Sequence, residues 1–194
     1  MKVLILDCGL KMAEKASESK TLKVCKWLRS RLEENDASVV LLRVADLDTQ
    51  MEKGPPPEWS DTKTAVINQV MGSDVLVMAT PIWWDGRSSL CQRVVEWLDD
   101  YDNVVLQDGE GSIEMREQPG TFHQKLFGAV VVGAEDGTQH VNGGLLNFAQ
   151  SLGFLIPPFS TVHWTHQEED LARKYVDLMA RSLVRTNRLR SDQI

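Results

Sequence analysis

Short apolar runs alternate along this chain with longer stretches in which apolar residues recur every three or four positions. The runs are KVLILD from Lys2, SVVLLRV from Ser38, SDVLVMAT from Ser73, KLFGAVVVG from Lys125 and FLIPPFSTVHW from Phe154. Rich in branched residues, they read as strands buried on both faces, the fifth interrupted by Pro157 and Pro158. The stretches between them read as helices. In TLKVCKWLRSRLEEN, from Thr21, one face carries Thr21 or Leu22 with Cys25, Leu28 and Leu32. TAVINQVMG, from Thr64, is a shorter helix. Leu90, Val94, Trp97, Leu98 and Tyr101 trace a third stripe, and Val141, Leu145, Phe148, Ala149 and Leu152 a fourth. The last helix opens at Thr165-His166-Gln167-Glu168, the spacing of a capping box, with Leu171, Tyr175, Leu178, Met179 and Ser182 facing inward. Arg181, Arg185, Arg188 and Arg190 complement the negative end of that helix. Two segments break the alternation: the stiff loop GPPPEW, Gly54 to Trp59, and an excursion beginning at Asp102, with an irregular hairpin around Asp108-Gly109-Glu110-Gly111.

Strands alternating with helices imply an α/β fold, a doubly wound five-stranded parallel sheet with helices on both faces. The common strand order is 2-1-3-4-5, which reverses between strands 1 and 3, and ligands lie outside the carboxyl ends of the strands at that reversal. The flanking loops are Cys8–Ser19 and Thr80–Ser89. The 194 residues, 42% hydrophobic, suit one domain spanning 1–194. A formal charge of −7 disfavours nucleic acid as a partner, and no apolar stretch has the length of a signal peptide or membrane span. Cys8, Cys25 and Cys91 are odd in number and widely spaced, which fits reduced, buried thiols in the cytoplasm and argues against structural zinc or an iron–sulfur cluster. His123, His140, His163 and His166 show no metal-ligand spacing, so no metal is expected.

Three loops carry candidate chemistry. In ASESKT, Ser17, Ser19 and Thr21 place hydroxyls at a helix start, where unpaired amides favour a phosphate; the plainer role is a helix cap. Neither a Walker A sequence nor GxGxxG is present. The second loop, PIWWDG, offers flat apolar surface in Trp83 and Trp84, beside Pro81 and Gly86; each indole either borders a planar ring or packs in a core or subunit contact. In the third loop, Glu135 and Asp136 precede Gly137, as in an ordinary turn.

Taken together, Ser19-Lys20-Thr21, Thr80-Pro81-Ile82-Trp83 with Ser88-Ser89, Gly133-Ala134-Glu135-Asp136-Gly137 and the tail LGFLIPP resemble the NAD(P)H-dependent FMN reductase-like family of the flavodoxin fold. The resemblance covers nearly the whole chain. It implies FMN as cofactor, held by its phosphate at Ser17, Ser19, Lys20 and Thr21. Its ring would be bordered by Pro81, Ile82, Trp83, Trp84, Asp85 and Gly86 on one side and by Gly133, Ala134, Glu135, Asp136 and Gly137 on another. Three positions depart from the family's habit: Lys20 where Asn is frequent, Asp85 where Gly is frequent, and Ala134 in place of a common Asn. Lys20 would help neutralise a phosphate. A carboxylate at Asp85 disfavours an anionic reduced flavin unless it is turned away.

The implied activity is NAD(P)H oxidoreduction, with NAD(P)H as co-substrate and a quinone or similar small molecule as electron acceptor. Hydride transfer requires no acid or base, and no catalytic side chain is assigned. His140 is read as a surface histidine, or as a donor to a bound quinone or nicotinamide. The alternative function is a flavin-binding electron carrier or interaction module without robust turnover. A phosphoacceptor domain of similar strand order is set aside, because Thr80-Pro81 stands where its aspartate would be. The resemblance also implies a homodimer or homotetramer, with the excursion to Gln124 and the proline loop as contributors. Trp59 is either an interface anchor or core packing under that loop.

Overall fold

The computed structural model describes residues 1–11, 13–47, 61–108, 120–133, 137–165 and 169–191. A parallel sheet is formed by β1 (Lys2–Asp7), β2 (Ser38–Arg43), β3 (Val75–Trp83), β5 (Leu126–Val132) and β6 (Thr161–Trp164), in the order β2-β1-β3-β5-β6. Strand β4 (Gly86–Arg87) is a two-residue return that pairs antiparallel with the end of β3. Leaving it aside, the five parallel strands stand in the expected 2-1-3-4-5 order. The reversal therefore falls between β1 and β3, whose register runs from Val3 opposite Val75 to Asp7 opposite Ala79.

Both faces of the sheet are covered, and the strand residues divide between them by the two-residue period of the pleat. Val3, Ile5, Val75, Val77 and Val130 face α1 (Lys20–Glu33) and α5 (Glu169–Ser191). Leu4, Leu6, Leu76, Met78, Phe127 and Val131 face α2 (Asp61–Met71), α3 (Ser89–Asp108) and α4 (Thr138–Ser151). That two-sided burial is why the runs read as continuously apolar. Helix α1 buries the expected Thr21, Leu22, Cys25, Leu28 and Leu32, with Val24 added. The three cysteines are buried and free, as expected.

Three details differ from the sequence pattern, and other expectations fall outside the described residues. The fifth strand is only Thr161–Trp164; ahead of it, Leu155 makes a single bridge to Leu126, because Pro157 and Pro158 cannot donate to a ladder. The supposed excursion from Asp102 begins as helix, since α3 runs on to Asp108; residues 109–119, including most of the suggested hairpin, lie outside the described residues. Helix α5 starts at Glu169, and residues 166–168 of the suggested capping box are also outside them. Its inner face is Ala172, Val176, Met179, Ala180, Leu183 and Val184, while Leu171 is exposed. Met179 of the expected stripe is buried and Tyr175 packs against the core as expected, while the small Ala172 and Ala180 take positions that the pattern of large residues does not mark. The proline loop and Trp59 are likewise not among the described residues.

Candidate functional site

At the carboxyl end of β1 the chain turns sharply under a buried carboxylate. Asp7 is 1% exposed, and its Oδ1 accepts the Gly9 amide at 3.0 Å. Burial pushes its carboxyl above the ordinary range, against the opposing pull of the Gly9 amide and of Arg43. Arg43, at the end of β2, lies 3.6 Å from Asp7 through Nε. It donates to the Lys11 carbonyl at 2.6 Å and to both Asp46 oxygens at 2.9 Å. Lys11 in turn reaches the Glu18 carbonyl at 3.0 Å. Arg43 thus clips the first loop to the neighbouring strand.

The loop ends in a short 3₁₀ helix, Ala13–Glu18, which leaves Ser17 exposed. Ser19 is buried and caps α1, its hydroxyl oxygen accepting the Leu22 amide at 3.2 Å. The capping role is therefore real, and among the described residues the Ser19 hydroxyl donates to no acceptor. The Lys20 and Thr21 amides have no acceptor among the described residues. These are the groups a phosphate needs at a positive helix end. A Cβ at Gly9 would sit 3.2 Å from Ser19 Oγ and 3.6 Å from Thr21 Cβ, so the loop is closely folded over this start. The Lys20 ammonium lies over the Trp164 ring, 5.1 Å from its centroid.

The second segment is not the simple loop expected. Strand β3 continues through Pro81, opposite Val132, to Trp83, and folds back at Trp84-Asp85 into β4. Both turn residues have positive φ, 46° and 62°, as a type I′ hairpin turn requires. Trp84 is 98% exposed and Trp83 54%, so neither indole packs in the core. The hairpin's return is fastened beneath. The Ser88 amide donates to Thr80 Oγ1 at 3.0 Å. The Ser88 hydroxyl donates to the Cys8 carbonyl at 2.8 Å and accepts the Cys91 amide at 3.1 Å, joining the first loop, the hairpin and α3.

The third segment packs directly on the hairpin. Gly133, at φ 153°, leaves so little room that a Cβ would lie 3.0 Å from Ile82 Cβ. Gly137, at φ 86°, begins α4 without a side-chain cap. Its own Cβ would lie 2.8 Å from both the Cα and Oδ1 of Asp85. The Asp85 carboxylate thus stands at the uncapped positive end of α4, 2.9 Å from His140 Nδ1. That placement gives the carboxylate partners in its own protein. Ala134, Glu135 and Asp136 lie outside the described residues.

The sheet accordingly brings together Ser17, Ser19, Lys20 and Thr21 after β1, Pro81 to Gly86 on the hairpin, and Gly133 with Gly137 before α4. Supporting residues that the sequence did not single out are Asp7, Gly9 and Arg43; the signal for the first two was the Asp-Cys-Gly at the end of the first strand. Among the described residues, no cluster of His, Cys, Asp or Glu is arranged to hold a metal ion.

Residues 1–169 match the sequence profile of NADPH-dependent FMN reductase. The chain belongs to this family. The 8-demethyl-8-aminoriboflavin-5'-phosphate synthase of Streptomyces davaonensis is 25% identical over 173 residues, covering 84% of this chain and 63% of that protein. The divalent metal cation transporter MntH of Mycobacterium bovis is 28% identical over 137 residues, 69% of this chain but only 19% of that protein. The chain thus spans less than two thirds of either curated relative. Among the described residues no helix is long and apolar enough to cross a membrane. Of solved structures, RosB with bound 8-demethyl-8-formylriboflavin-5'-phosphate superposes with a TM-score of 0.78 at 21% identity, covering 99% of this chain and 81% of that one. A flavodoxin from Streptococcus pneumoniae gives 0.64 at 12% identity, covering 96% and 99% respectively. These likenesses fix the fold as flavodoxin-like.

Proposed function

We propose that this FMN reductase family member takes hydride from NAD(P)H and passes reducing equivalents to a quinone or similar small acceptor, with FMN as its cofactor. The observation carrying this reading is that a helix start whose first amides lack acceptors among the described residues and a pair of exposed indoles both follow strands flanking the sheet's reversal. The residues suit the cofactor. Ser17, the Ser19 hydroxyl and the Lys20 and Thr21 amides would hold its phosphate, while Gly133 and Gly137 let the third segment pack directly against the hairpin that would border the ring. Pro81, Ile82, Trp83, Trp84, Asp85 and Gly86 would border the ring and restrict water at one edge, joined by Ala134, Glu135 and Asp136 from the third loop. When bound, the flavin supplies the hydride-accepting chemistry, and the protein's part is to align two flat rings and supply hydrogen bonds. Asp85, engaged by His140 and the α4 terminus, is compatible with a reduced flavin nearby.

The reading extends to a homodimer or homotetramer in the cytoplasm, with the acceptor a small molecule. Purified protein mixed with FMN, NADH or NADPH and a quinone tests the activity. A shifted flavin spectrum and oxidation of the nicotinamide are expected; absence of both refutes it. Bound, redox-active FMN without NAD(P)H consumption points instead to the electron-carrier alternative. A second reading, in which a flavin phosphate is substrate, is favoured by the TM-score of 0.78 to RosB with its flavin intermediate. Mass spectrometry of the flavin after turnover separates the two, since a cofactor is recovered unchanged.

A further inference from the structure

Beside the hairpin lies a cleft of about 460 Å³, bounded by Gly86 and Arg87 of β4, Ser89 and Gln92 of α3, and His140 and Gly144 of α4. Its size is that of a small-molecule site. It shares Asp85 and Gly86 with the candidate flavin wall, so an occupant would adjoin the cofactor. Two features distinguish it from a surface groove. Arg87 Nη1 is buried and has no hydrogen-bond partner. A cationic donor held from water without an acceptor is costly, and in a native protein it calls for one. The second feature is Gly144, inside α4, where an added Cβ would meet nothing within 4 Å. A helix interior ordinarily disfavours glycine relative to alanine, yet here its missing side chain leaves the cleft open. The carboxylate at the rim, Asp85, is already engaged by His140 at 2.9 Å, and Arg87 is the arginine among the residues lining the cleft.

We propose that this cleft binds the second substrate through an anionic oxygen group, and that Arg87 is the residue that selects it. The proposal rests on the oxidoreductase reading above. The group is a sulfonate, carboxylate or phosphate: a guanidinium pairs with any of them through parallel N–H donors. It belongs either to the electron acceptor or to the phosphates of the nicotinamide dinucleotide, and the experiment distinguishes these sources. The bare surface at Gly144 gives a flat ring room to approach α4.

The test measures binding of anthraquinone-2-sulfonate and of uncharged 2-(hydroxymethyl)anthraquinone by equilibrium dialysis, with and without FMN, alongside KM values for NADH and NADPH. Wild-type protein is expected to prefer the sulfonate, or a dinucleotide, through Arg87. Arg87→Gln weakens that ligand by roughly tenfold or more, the scale of a charge-assisted hydrogen bond, and leaves the uncharged probe unchanged. Arg87→Lys recovers part of the loss. Gly144→Leu, favourable to the helix, blocks the cleft and weakens the ligands that Arg87 binds. If Arg87→Gln raises only the sulfonate dissociation constant, the acceptor bears the anion; if it raises only the dinucleotide KM values, the phosphates do. Circular dichroism melts establish that each variant is folded. Folded Arg87→Gln and Gly144→Leu proteins that match wild type for every ligand overturn the proposal, even if FMN binds and NAD(P)H is consumed. Arg87-dependent binding of the sulfonate without any flavin binding sustains the cleft and overturns the oxidoreductase reading instead.

Discussion

Glycine to alanine, made at two places six residues apart, should move stability in opposite directions. At Gly137 the backbone has φ 86°, and an added Cβ would lie 2.8 Å from Asp85 Cα and Oδ1 and 3.2 Å from Ile82 Cγ2. The left-handed conformation alone costs an alanine about 1–2 kcal/mol. The contact with Asp85 Cα is with backbone, so it is relieved only by shifting the hairpin or the start of α4, which adds about 1–3 kcal/mol. The expected loss is therefore about 2–5 kcal/mol. At Gly143, within α4, an added Cβ meets nothing within 4 Å. There the methyl only restricts the unfolded chain and favours helix, for a gain of about 0.5–1 kcal/mol. Urea unfolding followed by circular dichroism measures both. With a slope of about 2 kcal/mol per molar, Gly137→Ala lowers the midpoint by about 1–2.5 M and Gly143→Ala raises it by a few tenths. The hairpin carries Trp83 and Trp84, so indole emission reports local displacement independently. A Gly137→Ala protein with unchanged midpoint and unchanged emission refutes the packing of Asp85 against α4.

Ser88→Ala removes the hydroxyl that joins the Cys8 carbonyl to the Cys91 amide; a loss of about 2–3 kcal/mol is expected from the urea midpoint, and a loss under 0.5 kcal/mol contradicts the bridge. Asp7 has its folded-state carboxyl raised, so its contribution to stability is fully present below the unfolded value and lost as pH rises through the folded one. Wild type should therefore lose ground to Asp7→Asn across an acid-to-neutral series of urea midpoints, and a gap constant with pH contradicts the burial of that carboxyl. Trp84 is 98% exposed, so Trp84→Phe should remove the largest share of the acrylamide-quenchable emission, and undiminished quenching places that indole wrongly.

The pattern of apolar runs carried the sheet order, both helical layers and the location of the reversal, because burial on two faces leaves a strong signal in sequence. Three of the site's loops were visible for a different reason: their residue types are unusual at strand ends. What pattern could not supply was the path of the chain after Thr80. Pro81 and the exposed indoles read as loop, yet hydrogen bonding to β5 keeps Pro81 in strand, and the turn at Trp84-Asp85 lacks the Asn-Gly that would announce it. The engagement of Asp85 by His140 was hidden too, since it joins positions 55 residues apart. The inner face of α5 was only partly legible, because Ala172 and Ala180, small residues with little hydrophobic signal, make up part of it.

That hairpin is an outgrowth of the sheet's central strand. Seven consecutive residues of β3, Val75 to Pro81, are paired with β5 before the chain reaches Trp83. The proposed partition beside the flavin is thus cantilevered from the middle strand of the sheet, with Ser88 as a brace at its foot. A ligand arriving there meets a surface already in place, and little of its binding energy goes to ordering chain. Discrimination among ligands then falls to shape and charge at the partition's edge, a division of labour that lets residues on β4 change without disturbing the frame.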